Sequence, residues 1–187
     1  MFRNLRTSYL AAAFLGGLMA SWAVAWAEAP ATATGPAGPV LKVGARLAII
    51  GDSITEQKLY SRFIETYLAA CAPQLRVQVA QFGWSGETAG GFLRRMDNDL
   101  AWFKPDVATT CYGMNDGGYR AYDERIGKAY EENMRAIVDR LKKAGVTVVV
   151  GSPGAVDTKY FSRGLPAAVY NDNLAHLCDI ARKISGR

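Results

Sequence analysis

The sequence predicts an α/β fold in which helices cover both faces of a parallel sheet, a three-layer α/β/α sandwich. Short apolar segments that end at glycine or a polar residue alternate, along residues 41–187, with segments whose apolar residues recur at helical spacing. Such alternation favours parallel strands joined by crossover helices. The 187 residues are 50% hydrophobic and 21% charged, which suits one globular domain of this kind.

Four segments have the pattern of buried strands. We place them at 46–50, 75–82, 106–112 and 146–150. We expect the flavodoxin-like order 2-1-3-4, in which the first strand lies between the second and the third.

Four further segments repeat apolar residues every three or four positions and are predicted to be helices. They occupy about 59–71, 88–102, 126–141 and 167–183. The second ends before Pro105, as the restricted conformation of a residue preceding proline requires. The third ends in Lys142, Lys143 and then Gly145, which suit the negative end of a helix and its glycine cap.

Residues 1–27 have the composition of a secretory signal peptide. Arg3 and Arg6 precede an uncharged run that closes in Ala25-Trp26-Ala27, the small-x-small pattern that signal peptidase cleaves. A retained membrane anchor is the alternative, but the run is at the short edge of the roughly 20 apolar residues that a span needs. Residues 28–40 hold three of the seven prolines and are interpreted as a disordered linker. We therefore expect an exported, periplasmic or secreted protein without a stable membrane anchor.

Composition argues against several classes of function. A net charge of +5, from 22 basic and 17 acidic residues scattered along the chain, does not suit nucleic-acid binding. A single histidine and the absence of metal-ligand spacing indicate no metal site, and we expect no cofactor. The glycine-rich loops lack both nucleotide-binding patterns, so phosphate or nucleotide binding has little support. Cys71, Cys111 and Cys178 are expected to be buried free thiols, with a Cys71–Cys178 disulfide left open.

A small polar cluster follows each of the first three predicted strands. The clusters are Gly51-Asp52-Ser53-Ile54-Thr55, Gly83-Trp84-Ser85-Gly86-Glu87-Thr88 and Gly113-Met114-Asn115-Asp116-Gly117-Gly118. Each alone is an ordinary set of turn residues. In the order 2-1-3-4, however, all three follow strand ends that meet at the topological switch point, where ligands bind. The sequence thus predicts one crevice lined by three loops.

The three clusters resemble the first three sequence blocks of the SGNH hydrolases, also called GDSL esterases or lipases, over residues 47–153. The resemblance implies that Ser53 is the nucleophile. It also implies that the backbone N–H of Gly86 and the side-chain amide of Asn115 belong to the oxyanion hole. The expected substrates are acyl esters, such as O-acetyl groups on a polysaccharide or short-chain lipid esters.

The residue types suit those roles. Acyl transfer needs a nucleophile and preorganised donors aimed at the oxygen that becomes negative. Ser53, at the start of a predicted helix, offers its hydroxyl, its own N–H and the positive end of the helix dipole. Gly86 has no side chain, so a substrate carbonyl can approach its backbone, and Asn115 supplies an uncharged amide donor.

Four neighbouring residues have supporting or open roles. Asp52 is interpreted as a cap for nearby backbone N–H groups, and Thr55 and Asp116 are interpreted in the same way. Trp84 and Tyr119 flank the crevice, either as part of a substrate pocket or as core or lid residues.

The family's last block, an Asp-x-x-His after a fifth strand, has no counterpart in these 187 residues. The nearest approximation, Asp172 with His176, is one residue too long and lies in a predicted helix. At about 100° per residue, His176 falls opposite the apolar stripe of that helix and faces solvent. That stripe consists of Tyr170, Leu174, Leu177, Cys178 and Ala181.

We therefore expect a sheet without its fifth strand and an impaired enzyme, because a general base contributes about 10²- to 10⁴-fold to the rate. A truncated gene product is the favoured explanation, and a partner that completes the fold is the other. The alternative function is a non-catalytic carbohydrate-binding protein that keeps the crevice but lacks the base.

Overall fold

A computed structural model describes residues 39–186. They form a four-stranded parallel sheet of order β2-β1-β3-β4 with helices on both faces, which confirms the predicted fold class and strand order. The predicted signal peptide and nearly all of the predicted linker lie outside the described residues. Within the described part, no helix is both long and apolar enough to cross a membrane.

Strands and helices alternate along the chain. The strands are β1 (Arg46–Gly51), β2 (Gln78–Gly83), β3 (Val107–Cys111) and β4 (Thr147–Gly151). The helices are α1 (Ser53–Glu56), α2 (Leu59–Cys71), α3 (Ala89–Phe103), α4 (Glu124–Lys143) and α5 (Ala167–Ser185), with a 3-10 helix at Pro73–Leu75.

The register of the sheet brings the strand ends level. Gly51 at the end of β1 pairs with Gly83 of β2 and with Cys111 of β3, and Cys111 pairs with Gly151 of β4. The loops that follow the strands therefore begin at one edge of the sheet. Among residues 39–186, β4 pairs with β3 alone, so the sheet has the four strands expected without the family's fifth.

The two faces of the sheet carry unequal cores. The larger core joins one face to α3, α4 and α5 and includes Ile50, Phe92, Tyr112, Met134 and Leu177. On the other face, α2 packs against Leu47, Ile49 and Val107 through partly buried side chains. Each fully buried aliphatic or aromatic side chain contributes about 1.5–3 kcal/mol, so the larger core stabilises the fold most.

The start of the second strand differs from the prediction. β2 begins at Gln78, whereas we expected it at residue 75. Leu75 instead ends the 3-10 helix that Pro73 begins, and Arg76 follows with a φ of 46°, in the left-handed region. A residue there turns the chain, so the extended conformation can begin only beyond it.

The predicted helix at 59–71 is present, and only one of its two apolar stripes is buried. Leu59, Phe63 and Tyr67 are exposed, and the neighbouring stripe that includes Ile64 and Leu68 packs on the sheet. Successive residues differ by about 100° around a helix, so two adjacent apolar stripes cannot both face one sheet.

The cysteine prediction is partly wrong. All three cysteines are free, as expected, but Cys71 is exposed and Cys111 and Cys178 are only partly buried. Cys71 shares the outward stripe of α2, which accounts for its exposure.

Candidate active site

The loops that follow β1, β2 and β3 contact one another. The backbone N–H of Trp84 donates to the carbonyl of Gly51 over 3.1 Å. The side-chain amide nitrogen of Asn115 lies 2.9 Å from the carbonyl oxygen of Glu87 and 3.4 Å from a carboxylate oxygen of Asp52. The third loop therefore touches the first and the second, and the three sequence clusters lie together at one edge of the sheet.

Ser53 begins α1 directly after its N-cap residue, Asp52. The Asp52 side chain is 1% exposed and accepts a hydrogen bond from the backbone N–H of Ile54 over 3.0 Å, as the sequence predicts for a capping residue. Burial raises the pKa of the Asp52 carboxyl, and the nearby Glu87 carboxylate adds to the rise. Because α1 has only four residues, its dipole contributes less at Ser53 than the sequence analysis assumed.

Ser53 is a partly buried residue. Its hydroxyl is the candidate nucleophile. Within residues 39–186, it makes no hydrogen bond to another side chain. Thr55, the second residue after it, is fully buried and pairs with the hydroxyl of Tyr60 over 2.7 Å. The expected role of Thr55 as a cap for backbone N–H groups is therefore wrong, because its hydroxyl pairs with a side chain. The turn that carries Ser53 is therefore held in place, while the Ser53 hydroxyl oxygen has no side-chain partner among the described residues.

A tight turn presents the backbone of Gly86. The N–H of Glu87 donates to the carbonyl of Trp84 over 3.2 Å, and Gly86 lies inside this turn with a φ of +72°. A Cβ on Gly86 would meet no atom within 4 Å, so the backbone angle rather than crowding favours glycine there.

The Asn115 amide is held at both ends. Its nitrogen donates to Glu87, and its oxygen accepts the Tyr119 hydroxyl over 3.1 Å. Tyr119 has a φ of 52°, which is uncommon for a residue with a side chain. Its ring stacks on Tyr170 with centroids 5.0 Å apart, and the guanidinium of Arg163 lies 4.7 Å from its centroid. Packing around the ring thus stabilises a strained residue that orients the amide.

Asp116 joins the third loop to the start of α3. Its carboxylate accepts hydrogen bonds from the backbone N–H groups of Ala89, over 2.9 Å, and Gly113, over 3.0 Å. This confirms the supporting role expected from the sequence. Burial raises the pKa of Asp116 to about 6, against the lowering effect of the two backbone hydrogen bonds.

A buried ion pair beneath the second loop was missed by the sequence analysis. Glu87 accepts two hydrogen bonds from Arg95, at 2.7 and 2.6 Å, and one from the Tyr112 hydroxyl at 2.8 Å. The Glu87 side chain is only 7% exposed. The sequence contains one indication of a partly buried arginine: Arg95 follows Phe92 by three residues and therefore borders the buried stripe of α3.

The single histidine does not join the site. His176 is exposed on α5, stacks on Tyr122 with centroids 3.9 Å apart, and places Nδ1 3.0 Å from the carbonyl oxygen of Asp172. The helical geometry predicted this outward position, and the structure confirms it. In the described part of the chain, no group of three His, Cys, Asp or Glu side chains is arranged to hold a metal ion.

A groove of about 470 Å³ borders the second and third loops. Thr88 and Asp116 belong to its lining, together with Arg120, Asp123 and Arg125. Apolar atoms, including those of Ile126, Ala129 and Tyr130, also form part of the lining, and Ser53, Gly86 and Asn115 do not belong to it.

Comparisons with known proteins agree with this architecture. An acetylxylan esterase of Geobacillus stearothermophilus is 27% identical in an alignment of 132 positions, and the match covers 59% of this chain and 60% of that protein. The match thus spans less than two thirds of the relative. The solved structure of Axe2, an acetylxylan esterase from the same organism, has a TM-score of 0.65 at 22% identity and covers 78% of this chain and 74% of its own.

Two further solved structures share the fold. LAE5, an α/β hydrolase enzyme from the metagenome of Lake Arreo in Spain, has a TM-score of 0.65 at 22% identity, covering 79% of this chain and 75% of its own. BT4096, a gut microbial diltiazem-metabolizing enzyme, has a TM-score of 0.64 at 26% identity, covering 76% of this chain and 35% of its own. The model of the GDSL-like Lipase/Acylhydrolase family matches residues 49–187. That match covers well over half of the sequence, and this chain therefore belongs to the GDSL-like lipase/acylhydrolase family.

Proposed function

We propose that this chain is an ester hydrolase with Ser53 as nucleophile and an oxyanion hole made by the N–H groups of Ser53 and Gly86 and the Asn115 amide. The observation that carries the proposal is the position of Asn115, whose amide nitrogen contacts both the Ser53 loop and the Gly86 loop. The three proposed donors then belong to loops that contact one another, which supports a shared site for the developing oxyanion.

The reaction follows from this arrangement. The Ser53 oxygen attacks the acyl carbon, and the carbonyl oxygen becomes negative between the three donors. When that intermediate collapses, the ester C–O bond breaks, the alcohol leaves with a proton, and the acyl group stays on Ser53 until water releases it. Removing one such donor costs about 2.7–4 kcal/mol in the transition state.

The two hydrogens of the Asn115 amide are not equivalent. One is committed to the Glu87 carbonyl at 2.9 Å, which is an ordinary hydrogen-bond length. The other faces Asp52 at 3.4 Å, which is long for a hydrogen bond. We infer that the second hydrogen turns to the oxyanion, while the first holds the amide in place.

A general base for Ser53 has to come from outside the described site. His176 makes its contacts with Tyr122 and Asp172, and an unassisted serine hydroxyl is a weak nucleophile near neutral pH. We infer that the rate of ester hydrolysis by this chain alone is about 10²- to 10⁴-fold lower than that of an enzyme with a positioned base.

We propose an acetylated polysaccharide as the substrate. The support is the similarity to acetylxylan esterases.

Export through residues 1–27 is a further part of the proposal. The support is the charge, apolar run and small-x-small ending of that segment. Mass spectrometry of the protein recovered from periplasm or medium should give a mature N-terminus near Glu28. Recovery of the intact N-terminus in the membrane fraction would show an anchor instead.

The central experiment compares the parent chain with Ser53→Ala on 4-nitrophenyl acetate, with and without added imidazole. We expect imidazole to increase the Ser53-dependent rate, because it supplies the missing base in solution. The Ser53→Ala protein measures the background that imidazole itself produces. Ser185→Ala, at the end of α5, serves as the matched control and should behave as the parent.

Equal rates for the parent and Ser53→Ala at every imidazole concentration would remove Ser53 from the mechanism. The second candidate function, a non-catalytic carbohydrate-binding protein, is favoured by the position of His176. It predicts saturable binding of acetylated xylo-oligosaccharide with no acetate release above the Ser53→Ala level.

A further inference from the structure

Trp84 presents an exposed indole ring at the border of the candidate active site. The residue is 62% exposed, although its backbone is firmly held. Its N–H donates to the carbonyl of Gly51, two residues before Ser53, and its carbonyl accepts the N–H of Glu87. The same closed turn therefore positions both the Trp84 backbone and the Gly86 backbone.

One side of the indole is supported by a fixed cation. The guanidinium carbon of Arg95 lies 5.5 Å from the ring centroid of Trp84. Arg95 in turn makes two hydrogen bonds to Glu87 and one, over 3.0 Å, to the carbonyl of Phe82. The cation–π contact orients the ring, and the rest of its surface is open to solvent.

An exposed, oriented indole matches the chemistry of a sugar ring. A pyranose has a face of C–H groups, which packs on an aromatic surface, and hydroxyls around its edge. The indole N–H is a donor suited to such a hydroxyl, and among residues 39–186 it has no hydrogen-bond partner.

We propose that Trp84 is a stacking platform for a pyranose ring of the polysaccharide main chain, and that it places the ester-bearing sugar beside Ser53. This deepens the proposed function, on which the choice of a polysaccharide rests. A rigid platform that is two residues from Gly86 favours one register of the sugar chain, because the ring and the oxyanion donor belong to one turn.

The test measures binding of xylohexaose, which carries no ester, to the full 187-residue chain. Titration calorimetry gives the Kd, and ¹H–¹⁵N spectra follow the indole N–H signals, assigned with Trp84→Phe and Trp102→Phe. We expect Trp84→Ala to weaken binding about tenfold and Trp84→Phe to weaken it less. The Trp84 indole signal should shift on titration.

Trp102 is the matched control. It is 70% exposed, but it lies at the far end of α3, where its ring contacts Phe82 and Phe103. Trp102→Ala should bind xylohexaose as the parent does, and the Trp102 indole signal should not move. Far-ultraviolet circular dichroism and thermal unfolding confirm that each variant is folded.

Three results would each overturn the platform. They are no binding of xylohexaose by the parent at millimolar concentration, equal affinity of Trp84→Ala and the parent, and equal weakening by Trp84→Ala and Trp102→Ala. Because xylohexaose has no ester, these results do not depend on whether Ser53 is a nucleophile. Conversely, an inactive Ser53 site with intact Trp84-dependent binding would overturn the hydrolase and keep the platform.

Discussion

The side-chain amide of Asn115 donates a hydrogen bond to the backbone carbonyl of Glu87 over 2.9 Å, across 28 residues of sequence. This bond connects the loop after β3 to the loop after β2. The Tyr119 hydroxyl holds the other end of the same amide. The orientation of the proposed oxyanion donor is therefore determined by its hydrogen bonds to Glu87 and Tyr119.

Tyr119→Phe removes the hydroxyl that donates a hydrogen bond to the side-chain oxygen of Asn115. We expect the Ser53-dependent kcat on 4-nitrophenyl acetate to fall about tenfold with little change in KM, because the amide acts mainly on the transition state. Unfolding free energy should fall by about 1 kcal/mol, the usual net value of one hydrogen bond. Tyr160→Phe is the control, since that ring is 72% exposed. An increased KM at constant kcat would assign Tyr119 to substrate binding instead.

Arg95→Met leaves the Glu87 carboxylate buried without its cation. We expect urea unfolding to show a loss of about 3 kcal/mol, because an unpaired buried charge is costly. Adding Glu87→Gln should restore part of the loss. The control is Arg182→Ala, which removes an exposed pair with Asp179 and should leave the midpoint nearly unchanged. Equal effects of the two arginine substitutions would contradict the buried role of Arg95.

Comparing Gly86→Ala with Gly145→Ala separates the effect of backbone strain on stability from the effect of a substitution in the candidate active site on the rate. Both glycines have positive φ, +72° and +80°, and a Cβ on either would meet no atom within 4 Å. Each alanine should therefore cost about 1 kcal/mol in unfolding free energy. Only Gly86→Ala should reduce the Ser53-dependent rate, because its methyl group lies beside the proposed oxyanion donor. Comparable loss of rate in both proteins would argue against Gly86 as a donor.

Asp116 is expected to make the free energy of unfolding depend on pH between about 4 and 6. Its folded-state pKa of about 6 lies above the ordinary value of 3.8, so the folded chain binds more protons between those values. The contribution of Asp116 to the free energy of unfolding is therefore greatest below about pH 4. It falls by about 2–3 kcal/mol as the pH rises through about 6.

Asp116→Asn should reduce that decline when urea midpoints are compared from pH 4 to pH 7. Asp123→Asn is the control, because Arg125 lowers the pKa of Asp123 to about 2 and its titration lies below this range. Parallel pH profiles for the parent and Asp116→Asn would contradict the raised pKa.

The sequence by itself determined the sheet order, the three polar loops at the strand ends, the caps made by Asp52 and Asp116, and the outward position of His176. Most of these features follow from short-range rules, since strand and helix periods and turn preferences act over a few residues. The sheet order follows instead from the common winding of parallel α/β sheets, and the bond between Asp116 and Ala89, 27 residues apart, was decided by packing. The family resemblance of the loops was visible for the same reason, because each motif is contiguous.

Only the tertiary structure decided which side chains hold the site in place. The bonds from Arg95 and Tyr112 to Glu87, and the packing of Phe161 and Arg163 around Tyr119, join residues that are distant in sequence or belong to loops without a period. Such contacts depend on how the elements pack, and no local pattern encodes that packing. The same limit applies to α2, whose sequence has two adjacent apolar stripes. Only the packing determines which of the two is buried against the sheet.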